Sequence, residues 1–161
     1  MIFVTVGTHE QQFNRLVKAV DALAANNLSE ERIFIQTGYS DFVPTHCEWS
    51  QFVSASRMAC LMKEADVIVT HGGPSSFIEA MGAGKIPVVV PRRADLGEHV
   101  NDHQVDFVRF VAERQGGIIV VEDVAELSDA IGRARISPNE SKFTSHNIEF
   151  CSRLIELIEE L

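Results

Sequence analysis

Cysteine is scarce in this 161-residue chain: Cys47, Cys60 and Cys151 lie far apart and form no Cys-x-x-Cys pair. That spacing excludes a disulfide-stapled framework and a zinc ribbon, and it fits a reducing compartment. Basic residues are also few, with 14 Lys plus Arg against 23 Asp plus Glu and a net charge of −9. General nucleic-acid binding and unaided docking on an anionic membrane both rest on surplus Lys and Arg, so neither is expected. No apolar run approaches the ~20 residues that span a bilayer. The opening Ile2–Val6 run is too short for a signal-peptide core and lacks a basic leader, so it reads as a strand. No Gly-x-Gly-x-x-Gly follows any strand pattern, which removes the main fingerprint of a dinucleotide site.

What is present describes one globular domain. Apolar residues make up 45% of the chain and charged residues 23%, enough to bury one sizeable core and not two. Short continuous apolar runs at Ile33-Phe34-Ile35, Val67-Ile68-Val69, Val88-Val89-Val90 and Ile118–Val121 read as strands buried on both faces. Between them Phe13, Leu16, Val17, Val20 and Leu23 mark a helix face that Asn26-Asn27 breaks. Ser54 or Ser56 can cap a helix through Met58, Leu61 and Met62, and Asp123 opens another through Leu127 and Ile131. The polar stretch from Ser137 to His146 reads as a connector, and residues 147–161 as a closing amphipathic helix with Ile148, Cys151, Leu154, Ile155, Ile158 and Leu161 on one stripe. The alternation predicts a single α/β three-layer domain over 1–161, with a parallel sheet and right-handed crossovers.

Ligands of such sheets bind at the carboxyl ends of the strands. Here those positions are Gly7-Thr8-His9, Gln36-Thr37-Gly38, His71-Gly72-Gly73 and Pro91-Arg92-Arg93, polar and glycine-rich as a group. The most informative stretch runs Thr70-His71-Gly72-Gly73-Pro74-Ser75-Ser76-Phe77-Ile78-Glu79-Ala80, a strand end, a glycine turn and a helix start. Glycines let backbone approach a ligand, and the free amides of a first helical turn attract anions, so a diphosphate fits. Ser76-x-x-Glu79 is also a capping-box pattern, which needs no ligand. Gly82-Ala83-Gly84-Lys85-Ile86 lacks both the first glycine spacing and the Ser/Thr after Lys of a phosphate loop. His99 and His103, four apart, can share a helix face as metal ligands, but no third ligand is evident and no metal is expected.

The stretch continues Gly82-Ala83-Gly84-Lys85-Ile86-Pro87, then Arg92, Glu98-His99 and His103-Gln104. From Gly7 to Gln104 the sequence resembles the donor-binding, C-terminal half of glycosyltransferase family 28. It is most similar to the small catalytic subunits of split transferases: the dolichol-pathway GlcNAc transferase subunit and, closer, the bacterial exopolysaccharide and capsule group. The resemblance implies a Rossmann-like domain that is half of a GT-B enzyme. It implies that Gly7, Thr8, Gly72, Gly73, Ser75 and Ser76 approach the diphosphate of a UDP-sugar, that Glu79 takes the ribose hydroxyls, and that Gln104 holds the donor sugar. Gln36 and Gly38 fall where related enzymes hold the nucleobase, and His71 and His103 join the donor-binding set. The family pattern often has Gly where this chain has Ser75 or Ser76. No Asp-x-Asp occurs, so the metal–diphosphate arrangement of the other large glycosyltransferase fold has no obvious ligands.

Two residues remain as candidates for catalysis. Arg92, after a buried strand, can neutralise charge on a leaving UDP, or can be a solvated strand-end arginine. His9 can act as the general base toward an acceptor hydroxyl, or can start a helix or donate to phosphate. The resemblance implies inverting, metal-independent transfer to a polyprenyl-diphosphate-linked saccharide held by a membrane-anchored partner subunit, at the cytoplasmic face of the membrane. The 147–161 stripe is a candidate docking surface for that partner, or for self-association, and can equally cover its own domain. The rival readings are a UDP-sugar 2-epimerase and a non-catalytic nucleotide-sugar-binding regulatory subunit.

Overall fold

The computed structural model describes residues 1–26 and 30–136. Asn27, the Ser137–His146 connector and the amphipathic stripe at 147–161 lie outside the described residues. The described residues form six strands: β1 (Ile2–Thr5), β2 (Ile33–Gln36), β3 (Glu48–Ser50), β4 (Val67–His71), β5 (Val88–Val90) and β6 (Ile119–Val120). Among the described residues α1 (Asn14–Asn26), α2 (Ala55–Glu64), α3 (Pro74–Gly82) and α4 (His103–Arg114) lie between strands, and α5 (Leu127–Ile136) follows β6. The strands form one sheet in the order β3-β2-β1-β4-β5-β6, and every neighbouring pair is parallel. This is the doubly wound order, whose direction of winding reverses at β1, between β2 and β4.

The pleat divides each strand between two cores. Ile2, Val4, Val67, Val69, Val88 and Val90 point to one face, where Leu16, Val17 and Val20 of α1 and Leu127, Ala130 and Ile131 of α5 cover them. Phe3 and Ile68 point to the other face, under Leu61 and Met62 of α2 and Ala80 of α3. On that face Val89 meets Phe77 and Met81 of α3 and Val108 and Val111 of α4. The expected three-layer α/β arrangement is the one observed.

Local signals set the boundaries. Ser54 caps α2 by accepting the Arg57 amide, and Asp123 accepts the Ala125 amide at a single 3-10 turn that leads into α5. Two elements were not anticipated. The sheet edge β3 carries exposed Glu48 and Trp49, and α4 leaves Phe107 and Phe110 on its outer surface. Among the described residues, no helix is long and apolar enough to cross a membrane.

Candidate functional site

The crevice at the reversal point is built around one imidazole. His71 ends β4, and its ring lies between the glycine turn after β1 and the turn that opens α3. A Cβ added at Gly7 would come within 2.5 Å of this ring, and one at Gly73 within 2.3 Å. Neither position can carry a side chain while His71 keeps its place. Gly7 also adopts φ +77°, a left-handed conformation that favours glycine. Behind Gly7, Gly38 approaches so closely that its Cβ would fall 2.5 Å from the Gly7 carbonyl. The two strand-end turns are thus closed on each other.

The start of α3 departs from the capping-box expectation. The helix begins at Pro74, one turn earlier than Ser76-x-x-Glu79 implies, with Gly73 as its N-cap and no side chain capping it. Proline suits this first position because its missing N–H would have no intrahelical partner. The amides of Ser75 and Ser76 in the first turn are therefore left for an outside acceptor, beside the positive end of the helix dipole. Ser75 is exposed, Ser76 half-buried and Glu79 exposed one turn further on, while Thr8 is exposed across the crevice. Backbone, hydroxyls and helix dipole together favour an anionic, oxygen-rich ligand.

Burial, with the nearby charge of Arg92, pushes the His71 imidazole down to about 4. It is neutral near pH 7, and its Nδ1 is buried without a hydrogen-bond partner. The sign of the linkage follows: as pH falls, the unfolded chain binds this proton first, near 6.5, and the folded chain only near 4. Stability is therefore lost from about pH 6.5 downward, by roughly 3 kcal/mol in total at ~1.4 kcal/mol per unit. Urea unfolding of wild type and His71→Gln across this window is expected to show the shallower pH dependence in the variant. Equal slopes would place the proton elsewhere.

Arg92 corrects an expectation. It is 0% exposed, and its guanidinium turns inward. One terminal nitrogen donates to the carbonyls of Gln11 (2.9 Å), Gln12 (3.1 Å) and Glu98 (3.0 Å), and the other to that of Val6 (2.8 Å). The Phe13 ring lies 4.7 Å away. Arg92 ties the loop after β1 to the loop after β5 and cannot reach a leaving group. Beside it Glu98, 1% exposed, receives a bidentate pair of hydrogen bonds from Arg15 and one from the Arg93 amide.

Gln36 is likewise spent on the protein. Its amide donates to the carbonyls of Gly7 and Gln51, and its oxygen accepts the Thr5 hydroxyl, so it shapes the crevice and does not face a nucleobase. Gln104 is buried against Gly72, and its Oε1 accepts the Arg92 amide at 3.1 Å. His9 is half-buried at the crevice, with its Nδ1 accepting the Gln11 amide. His99 precedes α4 and His103 begins it, so they do not share a helix face; they meet ring to ring across a turn. Among the described residues, no group of three or more His, Cys, Asp or Glu is placed to hold a metal ion.

A doubly wound parallel sheet, with glycine turns and an uncapped helix start meeting at its winding reversal, defines a Rossmann-like domain of the kind that GT-B glycosyltransferases carry as one half. The family model described as the glycosyltransferase family 28 C-terminal domain matches residues 1–156, and the chain belongs to that family. Among solved structures it is similar to the glycotransferase of kitacinnamycin, with TM-score 0.71 and 20% identity over 99% of this chain and 42% of that one. It is also similar to Methanocaldococcus jannaschii UDP-GlcNAc 2-epimerase, solved with UDP-GlcNAc and UDP, with TM-score 0.68 and 12% identity over 99% of this chain and 45% of that one. For the calicheamicin glycosyltransferase the TM-score is 0.61 and the identity 16%, over 84% and 34% of the two chains. The chain thus spans less than half of each of these structures. The comparison with curated proteins gave no match.

Proposed function

We propose that the chain is the UDP-sugar-binding half of an inverting, metal-independent glycosyltransferase. The supporting observation is the uncapped start of α3, whose free amides face the His71-centred glycine turns in a domain of family 28. In this reading the diphosphate lies across Gly7, Thr8, Gly72 and Gly73 and on the first turn of α3, with Glu79 on the ribose. Gln104, held by the Arg92 amide, presents its remaining amide nitrogen toward the sugar. Gly38 closes the nucleobase side.

The acceptor is a sugar on a polyprenyl-diphosphate carrier, in exopolysaccharide or capsule assembly. It is held by a membrane-anchored partner that completes the cleft and keeps this chain at the cytoplasmic face. His9, or a group on that partner, deprotonates the incoming hydroxyl, while the free amides of α3 stabilise charge on the departing UDP.

Calorimetric titration with UDP, with and without chelator, tests the reading. Chelator-insensitive binding that Glu79→Ala weakens about tenfold is expected, the cost of losing a hydrogen bond to a bound ribose. Failure to bind UDP both alone and in complex with the partner would reject it. The second reading, an enzyme that epimerises a free UDP-sugar, is favoured only by the shared fold of the Methanocaldococcus jannaschii structure. It predicts turnover of UDP-GlcNAc without any acceptor.

A further inference from the structure

Three imidazoles stand in a row beside the crevice. His9 comes from the loop after β1, His99 from the turn after β5, and His103 from the first position of α4. The ring centroids of His9 and His99 are 4.5 Å apart, and those of His99 and His103 are 4.7 Å apart with the planes at 72°. The row is continuous with the glycine turns, because His9 lies two residues beyond Gly7 and Gln104, next to His103, packs on Gly72.

Hydrogen bonds assign the protons along the row. Nδ1 of His9 accepts the Gln11 amide and Nδ1 of His99 accepts the Asn101 amide, so each neutral ring carries its proton on Nε2. A second proton on either ring would break one of those bonds. His103 is arranged the other way: Asn101 Oδ1 accepts the His103 backbone amide and also meets the ring Nδ1, which therefore donates. The Nε2 of exposed His103 is left with a free lone pair, and it is the place where this row can take a proton without losing a hydrogen bond.

His103 stands at the positive end of α4, next to His99, with Arg92 and His9 behind. Burial and these same neighbours hold the His99 imidazole below its ordinary range. The surrounding carboxylates are otherwise engaged or distant in role: Glu98 is held by Arg15 and the Arg93 amide, and Asp102 accepts the Ala94 amide. Asp106, in the first turn of α4, is the one acidic group on the same helix turn that favours the charge. Glu10, exposed beside His9, is the acidic neighbour on the other loop. A dianionic diphosphate arriving at the glycine turns reverses the balance of this positive field. Two charged rings at these separations would repel, so the row has room for one added proton and not several.

We propose that His103, backed by His99 and His9, takes up one proton from solvent when a diphosphate ligand binds, so that binding tightens as pH falls. The inference rests on the donor-site reading above and adds a proton to it. Calorimetry with UDP-GlcNAc is the test, since its diphosphate is doubly esterified and has no titration of its own near neutrality. Titrations at about pH 6.5, in buffers of small and large ionisation heat, are expected to show net proton uptake on binding, at most about one per ligand. Affinity should rise roughly tenfold between about pH 7.5 and 6.0, within the roughly thirtyfold that uptake of a single proton allows over that window. His103→Gln should bind with a heat that no longer depends on the buffer. Imidazole NMR of the wild-type chain should show the His103 pKa rising on addition of UDP-GlcNAc, which needs no variant to fold. A clear binding heat that is independent of buffer in the wild type, or uptake unchanged in His103→Gln, would overturn the proposal while leaving the donor site intact. Absence of any binding heat, for the chain alone and with its partner, would remove the donor-site reading and the proposal together.

Discussion

Replacing Arg92 with alanine will destabilise the domain by about 3–5 kcal/mol, the range expected when a buried charged hydrogen-bonding group is deleted and its partners stay buried. Four backbone carbonyls, those of Val6, Gln11, Gln12 and Glu98, lose their donors at once. For a chain of this size the melting temperature should fall by roughly 10 °C or more. Arg92→Lys should recover little of this, because one ammonium cannot span acceptors that the planar guanidinium reaches from two nitrogens. Thermal unfolding of the two variants checks the prediction. A variant that melted like wild type yet lost turnover selectively would return Arg92 to the leaving group. The burial of this side chain makes the opposite outcome the expected one: stability and ligand affinity fall together, because the loop carrying Gly7, Thr8 and His9 comes loose.

The second large effect is a coupling between a glycine and a histidine. Gly73→Ala drives a Cβ to 2.3 Å from the His71 ring, and overpacking of this kind costs about 1–3 kcal/mol. Gly73 has an ordinary φ of −73°, so the cost is steric and not conformational. In a His71→Ala background the same substitution should therefore cost close to nothing. Gly7→Ala behaves differently. Its clash with His71 is relieved in that background, but the strain of φ +77° remains, and so does a cost of about 1 kcal/mol. Two double-mutant cycles measured by urea unfolding separate the terms. Absence of coupling in both cycles would show that His71 does not sit between the two turns, and an equal residual cost for the two alanines in the His71→Ala background would remove the conformational strain assigned to Gly7. UDP affinity should fall in Gly73→Ala by at least about tenfold, since the first turn of α3 has to shift to make room for the methyl group.

The sheet was legible because its interior strands advertise themselves. Strands covered on both faces must be apolar at consecutive positions, and Val67-Ile68-Val69 and Val88-Val89-Val90 can hardly be anything else. The edge β3 obeys no such rule: Glu48 and Trp49 are exposed, and the strand is held by pairing with β2 alone. The helix α4 was obscured by Phe107 and Phe110, apolar residues on its outer surface that blur the periodic stripe. At the site, the positions were readable and the orientations were not. The strand-end glycines come together around His71, where only backbone can approach. Whether Arg92 or Gln36 points outward or inward depends on partners from distant loops, and no local spacing encodes that. The start of α3 was signalled, however, by Gly73-Pro74, a proline in the first helical position, and the capping-box pattern two residues later masked it. The imidazole row could not be read as a helical pair, because a turn joins His99 to His103 and the third ring arrives from the far side of the sheet's centre.

The central place of β1 bears on how the protein comes to be folded. Its two neighbours are paired in very different ways: Ile2 with Ile33, a short crossover away, and Ile2 with Val67, more than twice as far along the chain. The crevice lies on the second of these pairings, since Gly7 follows β1 and His71 ends β4. Long-range parallel pairing is entropically the slow event in assembling such a sheet. A nascent or truncated chain that stops short of β4 holds Gly7, Thr8 and Gly38 but lacks His71, the start of α3 and Gln104, and so only half of the ligand site. Binding competence is thus acquired in one step with the closing of the sheet, and a bound ligand reports that the slow step has been completed.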